Sequence, residues 1–222
     1  MNLSNVFSRD ERTSSGSLIS GNLYNLVIGL VLCWGFFINY LIVTNIPAQS
    51  LAKINPFIFL IGYFVSCFFG ISLFKSSDNP FISFIGYNFV VVPFGFIINM
   101  VVSQYDPMIV QEAIRITGLV TAFMMLLGTL FPNFFRKIIG GLTIALIAVI
   151  VIELIEILIF KVHHGFFDYI VVLIFCGYIG YDWARANSIP KTLDNAVDSA
   201  ASLYIDIINL FIRILRIVGG KK

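Results

Sequence analysis

The chain has 222 residues, 59% of them hydrophobic and 12% charged, with a formal net charge of +2. A soluble domain carries roughly 25% charged residues, and 14 basic plus 12 acidic groups cannot coat a globule that must also hide 23 Phe and nine Tyr. This excludes a soluble domain, a disordered chain, a disulfide scaffold and a nucleic-acid binder, and leaves a polytopic membrane protein.

The first 22 residues are polar and contain no apolar stretch of signal-peptide type, so residues 1–22 are expected to form a cytoplasmic tail. A helix needs about 20 mostly apolar residues to cross the hydrocarbon core. Such windows fall at 23–43, 56–74, 80–102, 108–131, 138–160 and 164–185. Between them lie turn-forming or charged groups: Asn45-Ile46-Pro47, Lys75 to Pro80, Ser103 to Pro107, Pro132-Asn133 with Arg136-Lys137, and Lys161 to His164. Open strands cannot satisfy their backbone in lipid, so the expected class is all-α. Cys33, Cys67 and Cys176 each sit inside an apolar run and read as small packing residues. His163 and His164 read as interfacial loop residues.

A seventh segment, 193–217, is helical by period but carries Asp194, Asp198, Asp206, Arg213 and Arg216. Lipid would not tolerate it on the perimeter, so it belongs inside a bundle or beside water. The transmembrane domain is therefore expected to run over 23–217, with a short basic tail at 218–222. Arg9, Arg12, Lys75, Arg136, Lys137, Arg185 and Lys191 lie on the amino-terminal side, against Lys53 and Lys161 opposite. That bias predicts a cytoplasmic N-terminus. Seven crossings then place the basic tail outside, whereas a re-entrant last segment would return it; seven crossings is the reading taken.

Each ionisable group inside an apolar window is a functional candidate. Glu112 and Arg115 stand one helical turn apart and can pair with each other. Glu153 and Glu156 share a face and repel, with Lys161 as a candidate cation. With the amino end inside, Asp106, Glu112, Glu153, Glu156 and Asp168 gather on the outer half, an acidic vestibule that would concentrate cations.

The C-terminal segment holds the stronger constellation. Asp198, Ser202, Asp206, Asn209 and Arg213 follow at steps of 4, 4, 3 and 4, one polar stripe on an apolar helix. The preceding span ends in Gly177-Tyr178-Ile179-Gly180-Tyr181-Asp182, whose small residues permit close helix approach beside a carboxylate. Two carboxylates brought together at low dielectric hold a proton between them, and when ionised they offer the oxygen ligands calcium takes. Asp182 and Asp206 would then serve as a pH sensor and a transient calcium contact. A plain hairpin, however, leaves the two offset by about 13 Å at 1.5 Å rise per residue. Contact requires the six residues 187–192 to run extended, a reach of up to about 20 Å. Spacing alone leaves contact open.

The stretch GYIGYD ending at Asp182, and LDNAVDSAASLYIDIINLFIRILRIVG from Leu193, resemble the C-terminal signature of the Bax inhibitor-1-like family, also called the transmembrane Bax inhibitor motif family. The resemblance implies a seven-helix bundle with the last helix central, and a pH-sensitive calcium leak whose paired aspartates fall on Asp182 and Asp206. Asp198 sits in the same pattern in a supporting role. The second span departs from the expected pattern, since it has no internal arginine and is instead bracketed by Lys53 and Lys75. Arg115 or Arg213 is left as the candidate basic partner.

The expected function is thus a calcium leak channel gated by a proton latch, not an enzyme, with no cofactor and with Ca²⁺ as transported ion. Its expected partners are the lipid bilayer, Ca²⁺ and H⁺, with no nucleic acid, and the expected state is a monomer in a bacterial plasma membrane. The alternative is a membrane interaction protein regulating membrane proteases or survival machinery without transport of its own. An intramembrane hydrolase has the right residue types but no companion motif.

Overall fold

The protein is described here from a computed structural model covering residues 17–51, 53–156 and 165–220. Lys161, His163, His164, Lys221, Lys222 and most of the amino-terminal tail lie outside the described residues. The rest is all-helical: α1 (Gly21–Asn45), α2 (Ala48–Leu51), α3 (Pro56–Ser76), α4 (Pro80–Val102), α5 (Pro107–Leu130), α6 (Pro132–Ile155), α7 (Phe166–Ala186) and α8 (Leu193–Val218). Among the described residues, six helices (α1 and α3 to α7) are long and apolar enough to cross a membrane.

Three spans begin with one chemical device. A side-chain oxygen at the N-cap takes a backbone N–H of the first turn, and proline follows at a position whose N–H would have no intrahelical partner. Asn55 Oδ1 accepts from Phe57 N (2.9 Å), Asn79 Oδ1 from Phe81 N (2.9 Å) and Asp106 Oδ1 from Met108 N (2.8 Å), ahead of Pro56, Pro80 and Pro107. Asp106 is thereby a cap, which accounts for it without a vestibule.

The fifth window differs from the expectation. Arg136 and Lys137 were expected to separate two spans, but Pro132 starts α6 and both basic residues lie in its early, exposed turns. Proline at the first helical position is a start signal, and long basic side chains keep their charge at the boundary while their stems remain helical. The short α2 carries no apolar periodicity long enough to have been read.

Burial runs opposite to that of a soluble protein. The strongly apolar α6 leaves Ile144 72% and Ile147 57% exposed, whereas the polar α8 has Asp194, Asp198, Ser199 and Asp206 all buried. Apolar side chains outside and carboxylates inside are stable only where the surrounding solvent is hydrocarbon. α8 packs against α1, α4, α5 and α7, α6 packs on α7, and α3 lies along α4. Ala196, Ala200 and Ala201 are fully enclosed, so the helices around α8 come close to its backbone.

Candidate functional site

α8 supplies partners to buried polar side chains from several of the helices around it. At its amino end, Ser83 Oγ donates to Asp194 Oδ1 (2.6 Å), and the Tyr24 hydroxyl pairs with Ser199 Oγ (3.0 Å). In the middle, Asn39 Nδ2 donates to the Tyr204 hydroxyl (2.7 Å). The Tyr204 ring meets Tyr87 edge-on at 5.4 Å and Phe94 at 6.2 Å, which fixes α1, α4 and α8 at one crossing.

α7 and α8 bring together Asp182 and Asp206, whose carboxyl groups lie within interacting reach of each other. Asp206 is 6% exposed and the Asp182 side chain 13%. Two ionised carboxylates have four acceptor oxygens and no donor, so a bond between them forms only when one proton lies there. The connection 187–192, expected to run extended throughout, does so only at its end, because Asn187, Ser188 and Ile189 still donate to the carbonyls of Trp183 and Arg185. It begins as a turn, ends extended, and is held by Ile19 N donating to Lys191 O (2.9 Å) and Asn195 Nδ2 donating to Pro190 O (2.7 Å).

The glycines before Asp182 act on the other side of α7. A methyl group at Gly128 would lie 2.5 Å from the Gly180 carbonyl oxygen, one at Gly177 would meet Leu142 at 2.6 Å, and one at Gly180 would run into the Phe135 ring. They therefore seat α7 against α5 and α6, which leaves its acidic face to α8. Tyr178, a turn before Asp182, donates its hydroxyl to Thr143 Oγ1 (3.0 Å) and is in electrostatic reach of both aspartates.

The cation beside the pair is Arg185, with Nη1 3.7 Å from Asp182 Oδ1. Neither proposed substitute occupies that place. Arg115 is exposed on α5, as is Glu112, and Arg213 is engaged elsewhere. Arg185 was counted only as a topology charge, although its spacing of three residues from Asp182 was the available signal.

Arg213 is the centre of a second cluster. Its Nη1 and Nη2 grip Glu153 Oε1 and Oε2 at 2.5 and 2.9 Å, and Nη1 also donates to Asp168 Oδ1 at 2.7 Å. Arg216 stands 3.7 Å from the same Asp168 oxygen. Glu153 and Asp168 are thus tied into a fork-like ion pair rather than facing an open acidic vestibule. The groups come from the end of α6, the first turn of α7 and the last turns of α8, three places no spacing rule connects. Nearby, Tyr105 in the α4–α5 connection has its phenol raised by burial, against the lowering influence of Arg216.

The remaining members of the expected stripe divide. Asp198 is buried at 4% exposure, Ser202 is half-buried, and Asn209 turns back to donate to Ile205 O (2.8 Å). Glu156 is half-buried at the end of α6. Among the described residues no three His, Cys, Asp or Glu side chains gather as metal ligands.

Six apolar helices around an interior that holds adjoining acids are those of an integral multi-pass membrane protein. Within that class the chain belongs to the family described as inhibitor of apoptosis-promoting Bax1, whose profile matches residues 18–222. It is 29% identical over 161 residues to an uncharacterized protein of Helicobacter pylori strain 26695, covering 70% of this chain and 68% of that protein. A counterpart in strain J99 is 30% identical over 168 residues, covering 73% and 70%.

Proposed function

We propose that this protein is a pH-sensitive calcium leak, built as a seven-helix bundle with α8 at its centre and gated by Asp182 and Asp206. The observation that carries this reading is the close approach of the two little-exposed carboxyl groups inside the bundle. With one proton the pair is a bond joining α7 to α8; without it, two like charges face each other at low dielectric and drive the helices apart. Proton loss as pH rises is therefore a mechanical event in the interior. The same oxygens, once ionised, are the hard ligands a passing calcium ion takes in exchange for water. Calcium is cargo in this reading, and Asp198, Ser202 and Asn209 continue the polar lining along α8. The domain runs over 23–217 in a bacterial plasma membrane with its amino end in the cytoplasm, as the basic residues of the loops favour.

Purified protein in proteoliposomes enclosing a calcium dye tests this across a series of pH steps. Wild-type flux is expected to change with pH, and Asp182→Asn and Asp206→Asn are each expected to remove that change. A pH dependence retained in both variants would overturn the latch. A partner-binding protein without transport of its own is the second reading, supported by the family's description as an inhibitor of apoptosis-promoting Bax1. Absence of flux from the purified wild type at every pH would favour it.

A further inference from the structure

A long groove runs between α3 and α4, bounded by Trp34 of α1 and Leu51 of α2, with a volume of about 810 Å³. That is within the roughly 300–1,000 Å³ range of ligand sites. α3 and α4 touch backbone to backbone at one level, where a methyl at Gly86 would lie 2.6 Å from the Gly70 carbonyl oxygen. The groove opens beside the α3 residues Ile58 to Ser66. Along α4 it extends from Phe81 to Phe96, about 22 Å at 1.5 Å per residue. One leaflet of hydrocarbon is about 15 Å, half of a core of about 30 Å.

The groove has four polar side chains in its lining, Trp34, Tyr63, Ser66 and Asn88, and three of them make hydrogen bonds within the protein. Trp34 Nε1 donates to Asn88 Oδ1 (2.9 Å), and Asn88 Nδ2 donates to Phe84 O (2.8 Å). The Tyr63 hydroxyl lies beside Cys67. Pro93 has no N–H for the carbonyl of Phe89 one turn before it, and Ser66 Oγ donates to that carbonyl instead (2.8 Å). These bonds commit the donors of Trp34 and Ser66 and one donor of Asn88 to protein acceptors, which leaves the lining few partners for the two to four bonds a water molecule needs. The groove also lies among side chains turned toward lipid, including Ile58 at 65% and Phe81 at 69% exposure. Hydrocarbon is what fills a dry, apolar slot open to a bilayer. Lys53, exposed in the turn between the lining residues Leu51 and Ile54, is the cation that the sequence sets beside this end of the groove.

We infer that this groove binds one acyl chain of an anionic phospholipid from the surrounding membrane, with the phosphate at the level of Lys53. The bound chain takes the place of a helix neighbour for the face that α3 and α4 leave open.

The test uses the full chain in detergent, titrated with phosphatidylglycerol brominated on its acyl chains, because bromine quenches indole at contact. Trp34 and Trp183 are the two tryptophans, so a Trp183→Phe background reports the groove alone. Where that variant does not give folded protein, subtracting Trp34→Phe from the unaltered chain isolates the same signal. Quenching is expected to saturate at one lipid per chain. Gly62 lines the groove with open space before it, and Gly29 on α1 has equal space outside it. Gly62→Phe is expected to weaken half-saturation by at least about tenfold and Gly29→Phe by less than about twofold. Native mass spectrometry should show one retained lipid, lost in Gly62→Phe. Quenching that rises without saturation, saturation unchanged in Gly62→Phe, saturation by brominated free fatty acid alone, or a lipid-free dimer would each overturn the assignment.

Discussion

The two buried charge clusters on α8 lie about two turns apart and are built on opposite principles. Around Arg213, two acids meet two arginines, and the signs agree with the helix ends that carry them: Asp168 in the first turn of α7 and Arg216 in the last turn of α8. Around Asp206, two acids meet each other, and Asp182 sits toward the carboxyl end of α7, where a negative charge opposes the macrodipole. Arg185 is a single cation at 3.7 Å. The first cluster is satisfied by fixed charge and has no need of a proton, whereas the second cannot form its bond without one. A membrane interior can therefore hold carboxylates in two ways, as permanent braces and as responsive contacts, and the choice is set by which partner the neighbouring helix supplies.

Removing the brace gives the largest effect. Arg213→Ala leaves the Glu153 carboxylate without its two-nitrogen fork and Asp168 with Arg216 at 3.7 Å in place of Arg213 at 2.7 Å, and is expected to cost about 3–5 kcal/mol. Thermal unfolding in detergent measures it, with Arg213→Lys intermediate because an ammonium cannot form the two-nitrogen fork. Asp206→Asn is the next largest. One titrating proton changes a two-state population by up to about tenfold per pH unit, or about 1.4 kcal/mol. Unfolding of the wild type should become easier as pH rises through the loss of the shared proton, and Asp206→Asn, which has an amide donor at every pH, should be flat over the same range. Arg185→Gln is the smallest. Its contact with Asp182 is a single one at 3.7 Å and lacks the two-nitrogen fork of Arg213, so a loss approaching that of Arg213→Ala would mean Arg185 is a brace as well.

The sequence made most of the fold legible because lipid imposes length and apolarity on each span, and the Asn-Pro and Asp-Pro pairs mark where three of them start. It also held both aspartates, since a polar stripe on α8 and a lone acid at the end of α7 are each visible alone. Their meeting was not derivable from spacing. It depends on how the residues 187–192 are laid out and on glycines that face away from the pair, toward α5 and α6. Arg213 was read as a member of the stripe and Glu153 as part of an outer vestibule. Their pairing joins residues 60 positions apart, and periodicity carries no information at that separation. Arg185 was missed although adjacent, because a basic residue near a loop is first counted as an orientation signal.

The order of synthesis gives the packing of α8 a cost during assembly. Tyr24, Asn39, Ser83, Glu153, Asp168 and Asp182 all precede it in the chain, and all find partners on it. Until Leu193–Val218 leaves the ribosome, the earlier helices hold hydroxyls, an amide and acids in the bilayer with those places vacant. A nascent chain stalled before that point is a bundle with a polar seam, the kind of defect that membrane quality control can detect, and the final helix closes it.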